Sequence, residues 1–127
     1  MSTKELIEQY LHALEQGNLD EMLSLFDEQA IVVSPLYGKV SANHFYKELF
    51  SDTSQSQITL LNTFPSNENE NVCAGHFRYD WTMKDGTLVS FECVDIFQTT
   101  NENKFEQLTI IYDTQTVRGE FYKLKAN

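Results

Sequence analysis

The chain has 127 residues, 41% hydrophobic and 22% charged, with 19 acidic against 9 basic side chains and a formal net charge of -10. That length suits one domain over residues 1–127, with enough buried surface for a core and one ligand-sized pocket. So acidic a surface repels phosphates, which sets aside nucleic-acid binding and attachment to anionic membranes.

The opening residues, Met1-Ser-Thr-Lys-Glu, lack the apolar run of a secretory leader, and no stretch has the length and hydropathy of a bilayer span. A cytoplasmic location is expected. Ser2 and Glu5 have capping-box spacing, and Leu6, Ile7, Tyr10, Leu11 and Leu14 recur behind them at helical spacing. Gly17 reads as the stop of this helix and Asn18 as the cap of a second, with Leu19, Met22, Leu23, Leu25 and Phe26 as its buried stripe. Ile31–Ser34 is a short β-rich run closed by Pro35 and Gly38, and a third helix spans about Ser41 to Phe50 with Phe45, Tyr46 and Leu49 inward.

The pattern then changes to period two. Strands are predicted over Ile58–Phe64, Val72–Met83, Thr87–Gln98 and Phe105–Asp113, and Val117–Leu124 reads as a short helix weakened by Gly119. Helices first and antiparallel strands afterwards specify an α+β domain with helices on one face of a bent sheet.

Phe77, Tyr79 and Trp81 alternate with His76, Arg78, Asp80 and Thr82, and on the returning strand Val89, Phe91, Cys93, Asp95 and Phe97 share a face. A three-residue Lys84-Asp85-Gly86 loop pairs Trp81 with Val89, Tyr79 with Phe91 and Phe77 with Cys93, so that the two apolar faces coincide. Arg78 then lies opposite Glu92 on the other face. This register puts Asp95 on the apolar face. Either it is solvated at the sheet's rim, or it is a pocket carboxyl with a raised pKa. Tyr10 poses the same choice between a tied-down core residue and a site residue, as does Tyr46.

The three histidines, His12, His44 and His76, show no metal-ligand spacing with each other or with Cys73 and Cys93, and the glycines are scattered singly. No metal, nucleotide or other cofactor is expected, and the two cysteines, both in predicted strands, are read as free thiols.

The run Ile7-Glu-Gln-Tyr10-Leu-His-Ala-Leu-Glu-Gln-Gly17-Asn-Leu-Asp, followed by Leu25-Phe-Asp-Glu-Gln-Ala-Ile-Val-Val-Ser34-Pro35, resembles the opening of the ketosteroid isomerase and SnoaL-like families of the nuclear transport factor 2-like superfamily. The likeness continues through His44-Phe-Tyr-Lys, Cys93-Val-Asp-Ile-Phe and Ile111-Tyr-Asp-Thr. It implies a cone-shaped fold, a cystatin-like α+β barrel in which three N-terminal helices and a strongly curved antiparallel sheet enclose a pocket. It also implies a homodimer paired through the outer sheet face, which carries Val94 and Ile96 among polar residues.

Ketosteroid isomerases hold a developing oxyanion with a tyrosine and a protonated aspartic acid and abstract the proton with a second aspartate. By the resemblance, Tyr10 falls on the oxyanion tyrosine, Asp95 on the protonated acid and Tyr46 on a supporting tyrosine. Phe45, Phe77, Tyr79, Trp81, Phe91 and Cys93 fall on the pocket wall. The base stands before a proline in those enzymes, and Ser34 occupies that place here. Serine is no base without a partner, so efficient isomerisation of a ketosteroid is not expected; Asp113 is the first alternative base. A second likeness, to limonene epoxide hydrolase, rests on Arg78-Tyr79-Asp80 and Asp113, although the hairpin register turns Arg78 and Asp80 outward.

The expected function is binding of an apolar small molecule beside a Tyr10/Asp95 donor pair, with isomerase- or cyclase-like chemistry left open. The competing expectation is a noncatalytic dimeric interaction module that uses its sheet as an adaptor surface.

Overall fold

Ser2 opens the first helix, α1 (Thr3–Gln16), through the full capping box: its hydroxyl accepts from the Glu5 amide at 3.1 Å while the Glu5 carboxylate accepts from the Ser2 amide. Gly17 ends α1 in a left-handed conformation, φ 67°. Asn18 caps α2 (Leu19–Ser24). A computed structural model describes residues 2–126, and the elements continue as β1 (Phe26–Ser34), β2 (Gly38–Ser41), α3 (Ala42–Ser51), β3 (Thr53–Pro65), β4 (Val72–Met83), β5 (Leu88–Thr99), β6 (Phe105–Ile111) and α4 (Arg118–Ala126). Among the described residues no helix is long and apolar enough to cross a membrane.

The architecture is α+β. Six strands form one curved sheet in the order β2-β1-β6-β5-β4-β3. All neighbours are antiparallel except β1 and β6, which run parallel with Val32 beside Leu108. The sheet does not close into a barrel: β2 and β3 are its free edges. The edge of β3 is shielded where Glu15, near the end of α1, accepts from the Ile58 amide at 2.8 Å.

The β4–β5 hairpin has the register that the aromatic alternation requires. Trp81 faces Val89, Tyr79 faces Phe91, Phe77 faces Cys93 and Arg78 faces Glu92. The concave face is the core, where Ile7, Tyr10, Tyr46, Phe77, Phe97, Phe105 and Leu108 are almost wholly buried. Cys73 and Cys93 are buried free thiols.

Three elements depart from the expectations. Phe26 starts β1 instead of ending α2, because it pairs with Phe105 of the parallel neighbour. The short edge strand β2 was not anticipated. The strand β3 is longer than Ile58–Phe64, and it carries bulges between Thr53 and Gln55 and between Leu60 and Asn62 that break its alternation.

Candidate functional site

The concave face holds one cavity closed on one side by α1 and on the other by β4, β5 and β6. Tyr10, Ser34, Phe45, Phe77, Tyr79 and Trp81 line it, together with Phe91, Cys93 and Asp95. All nine come from the residues singled out by sequence. Leu14, Leu36, Tyr37, Leu49, Ile110 and Tyr112 complete the wall. The space open to the centre of a water molecule is about 40 Å³, room for about three waters.

Asp95 places a carboxyl in a chamber lined mostly by aromatic and aliphatic side chains. It is 1% exposed, and its Oδ1 has no hydrogen-bond partner among the described residues. Burial pushes its pKa well above the usual carboxylate range; the neighbouring Tyr10 hydroxyl opposes that shift only in part. Burial of this kind favours the neutral form of a carboxyl, which has a proton to donate. The rim alternative for Asp95 is thereby excluded.

Tyr10 comes from the buried face of α1, and its hydroxyl lies 2.7 Å from that of Tyr46 on α3. Both are buried, and burial pushes both phenols up. If Tyr46 donates to Tyr10, the Tyr10 hydrogen is free to point at Asp95 or at a guest. Tyr46 itself backs Tyr10 and does not reach the cavity. Ring contacts fix Tyr10 further, with Phe97 at 5.0 Å and Phe105 at 5.9 Å between centroids.

Ser34 faces the cavity, and its Oγ accepts from the amides of Leu36 and Tyr37, both at 3.3 Å, which closes the turn into β2. Among the described residues no basic group hydrogen-bonds to it, so it is a turn residue with a spare hydrogen. Among the described residues the lining includes no histidine, glutamate, lysine or arginine.

Asp113 as a base and the epoxide-hydrolase alternative need correction, while Arg78 and Asp80 lie outward as the hairpin register requires. Asp113 does not reach the cavity: β6 ends at Ile111, and the exposed Asp113 turns outward, its Oδ1 accepting from the Gln115 amide at 3.0 Å. Arg78 and Asp80 lie on the outer sheet face, paired with each other at 3.1 Å, and Ser90 donates to Asp80 at 2.6 Å. The Arg78/Asp80/Asp113 set of an epoxide hydrolase is therefore not assembled.

On the cavity wall, Tyr37 carries a second polar arrangement that the sequence did not reveal. Its hydroxyl donates to the buried Asp52 at 2.8 Å, and Lys125 of α4 reaches Asp52 at 2.7 Å and Glu48 at 2.9 Å. The isolated Tyr37 between Leu36 and Gly38 belongs to no periodic segment, so no pattern marks it.

The SnoaL-like domain, as a family, matches residues 7–107. The chain belongs to the SnoaL-like family. It carries the fold of the nuclear transport factor 2-like superfamily, as solved structures also indicate. The epoxide hydrolase/cyclase-like enzyme SalBIII of pyran-ring formation in salinomycin is similar at 17% identity over 90% of this chain and 92% of that one, with a TM-score of 0.75. A hypothetical protein with a ketosteroid isomerase-like fold from Catenulispora acidiphila, in complex with trimethylamine, gives 12% identity over 91% of each chain and a TM-score of 0.78. A Mycobacterium tuberculosis protein in complex with estradiol-17beta-hemisuccinate gives 10% identity over 90% of this chain and 95% of that one, with a TM-score of 0.74. No protein of curated function matches the chain. At such identities these likenesses bear on the fold of this SnoaL-like domain and not on its ligand.

Proposed function

We propose that this SnoaL-like protein binds an apolar small molecule bearing an acidic hydroxyl, a phenol or an enol, whose oxygen accepts hydrogen bonds from neutral Asp95 and from Tyr10. The observation that carries the reading is the unpartnered Asp95 Oδ1 in an apolar chamber. A buried polar atom without a partner is costly, and a ligand oxygen is the partner that the chamber can accept. Two neutral donors favour an anionic or strongly polarised acceptor, since hydrogen bonds to a charged oxygen are roughly twice as strong as neutral ones.

The lining supplies no ionised base beside this pair, so turnover of a simple β,γ-unsaturated ketone is not expected. The test is calorimetric titration with phenol, 4-chlorophenol and 4-nitrophenol, which fall in pKa in that order. Affinity is expected to rise along the series, and Tyr10→Phe to weaken 4-nitrophenol by about tenfold or more, the scale of one hydrogen bond to a charged group. An affinity indifferent to phenol acidity, or to Tyr10→Phe, overturns the reading.

The outer sheet face supports the further proposal of a homodimer. Phe64 and Ile111 are each 50% exposed there, with Val94 and Ile96 half-buried between them. A two-fold pairing would cover this strip with its own copy. Light scattering at micromolar concentration is expected to give twice the 14.7 kDa chain mass, and a monomer mass counts against the pairing.

A further inference from the structure

We propose that α4 is a hinged lid over the Tyr37 and Trp81 wall of the cavity, latched by Lys125, and that its opening controls which ligands enter. The proposal rests on the small-molecule reading above and adds how the chamber is reached. As closed, the chamber offers water centres only about 40 Å³, whereas pockets for drug-sized ligands run to about 300–1,000 Å³. A guest larger than a few waters therefore needs one wall to move.

Most of the wall is fixed. The β4, β5 and β6 side is a continuous hydrogen-bonded ladder, and α1 is anchored by Ile7, Tyr10 and Leu14, all nearly fully buried. By contrast, α4 lies beyond residues 7–107 that the family shares, and its backbone makes little close approach to any other element. It is held by side chains. Phe121 packs on two lining residues, with its ring centroid 5.0 Å from Tyr37 and 6.4 Å from Trp81. Val117 and Leu124 are buried beside it. The link from β6 passes through exposed Asp113, Gln115 and Thr116, a polar hinge.

Lys125 is the latch. Its Nζ touches Asp52 and Glu48, and it lies 5.7 Å from the Tyr37 ring centroid and 5.8 Å from that of Phe121. One cation thus ties the lid to α3, to the start of β3 and to the cavity wall. Asp52 also accepts from the Tyr37 hydroxyl and faces Lys84 at 3.6 Å. When α4 lifts, Lys125 returns to water while Asp52 keeps both of these partners. No buried charge is stranded by opening, which is what a reversible latch requires.

Trp81 is the chain's only tryptophan, and at 2% exposure it is shut in beneath Phe121. Its fluorescence therefore reports lid opening without any ligand. Lys125→Met is expected to raise the acrylamide quenching constant of Trp81 by about fivefold, the scale of losing partly exposed ion pairs. Phe121→Ala is expected to raise it further. Amide hydrogen exchange in Arg118–Ala126 should quicken in Lys125→Met while β4 and β5 keep wild-type protection, and stopped-flow association of 4-nitrophenol should quicken with it. Unchanged quenching in both variants overturns the lid. So does protection lost from β4 and β5 together with α4, since Trp81 is then exposed by general loosening. Quenching that rises while no phenol binds supports the lid and overturns the ligand reading. Phenol association at the wild-type rate in Lys125→Met does the reverse.

Discussion

Asp95→Asn is expected to stabilise the protein at neutral pH, by a margin that widens as pH rises. The folded-state pKa of Asp95 is raised by burial, and its unfolded value is about 3.9. Below about pH 4 both states hold the proton, so the carboxyl's contribution to stability is fully present. Between the unfolded and folded values the unfolded chain has released its proton and the native one has not. Each pH unit in that window removes up to about 1.4 kcal/mol from the wild type. Above the folded value both states are ionised and the loss stops.

The amide does not titrate, so it escapes this loss, and the rest of the chain's acidic groups cancel in the comparison of the two proteins. The measurement is urea denaturation of wild type and Asp95→Asn from pH 4 to pH 8, read as the difference in unfolding free energy at each pH. The difference is expected to climb steadily above pH 4. A difference that stays flat across the range means that Asp95 ionises as readily in the folded protein as in the unfolded chain. The donor role assigned to it then fails with it. A rise that levels off partway locates the folded pKa, and that plateau sets the pH above which phenol binding should weaken.

The legible parts of this fold are those written in local pattern. The β4–β5 register follows from Phe77, Tyr79 and Trp81 alternating against Val89, Phe91 and Cys93, because a slip of one residue would send every aromatic side chain to the outer face. Asp95 and its inward-facing neighbours on β4 and β5 come with that register. The boundaries of α1 follow from Ser2, Glu5 and Gly17, which act within a turn of where they stand. What failed was set by distant partners. Leu25 and Phe26 continue the helical spacing of α2, but Phe26 is recruited into β1 by a parallel strand some eighty residues away in sequence, as Lys104 is when it donates to the Ser24 carbonyl at 2.6 Å. No local signal carries that information.

The site shows the same division. Ile110 and Tyr112 extend the inward alternation of Leu108 along β6, a signal that was available and that also places Asp113 outward. The likeness to enzymes with an acid near that point drew attention to Asp113 against its own strand parity. Tyr37, Asp52 and Lys125 could not be linked from sequence, since they stand in a turn, at a helix end and in the last helix, and only the folded chain brings them within hydrogen-bonding distance.

Gly75→Ala is expected to destabilise the protein by about 1–3 kcal/mol, the range for overfilling a packed core, although alanine is ordinarily the better strand residue. Gly75 sits in β4 directly opposite Asp95. A Cβ there would lie 2.9 Å from Ile7 Cγ2, 3.5 Å from Ile7 Cδ1 and 3.7 Å from Phe97 Cε2. The backbone is unstrained, so the requirement is for space: here Ile7 of α1 presses directly on the β4 backbone. Ile7 is fully buried, and the γ2 methyl of a β-branched residue in a helix cannot swing away without leaving its one favoured χ1 rotamer. The relief must come from α1 moving off the sheet, and α1 carries Tyr10 one turn beyond Ile7. The substitution should therefore weaken 4-nitrophenol binding as well as stability, by displacing the Tyr10 hydroxyl from its place beside Asp95. The decisive measurement is a double-mutant cycle with Ile7→Ala, which alone should cost about 2–5 kcal/mol through the cavity it leaves. With both changes the clash is gone and the new methyl partly fills that cavity, so the combined loss should fall short of the sum by about 1–3 kcal/mol. Additive losses would show that the cost of Gly75→Ala arises elsewhere, and a neutral or stabilising Gly75→Ala would show that α1 does not rest on β4 at this point.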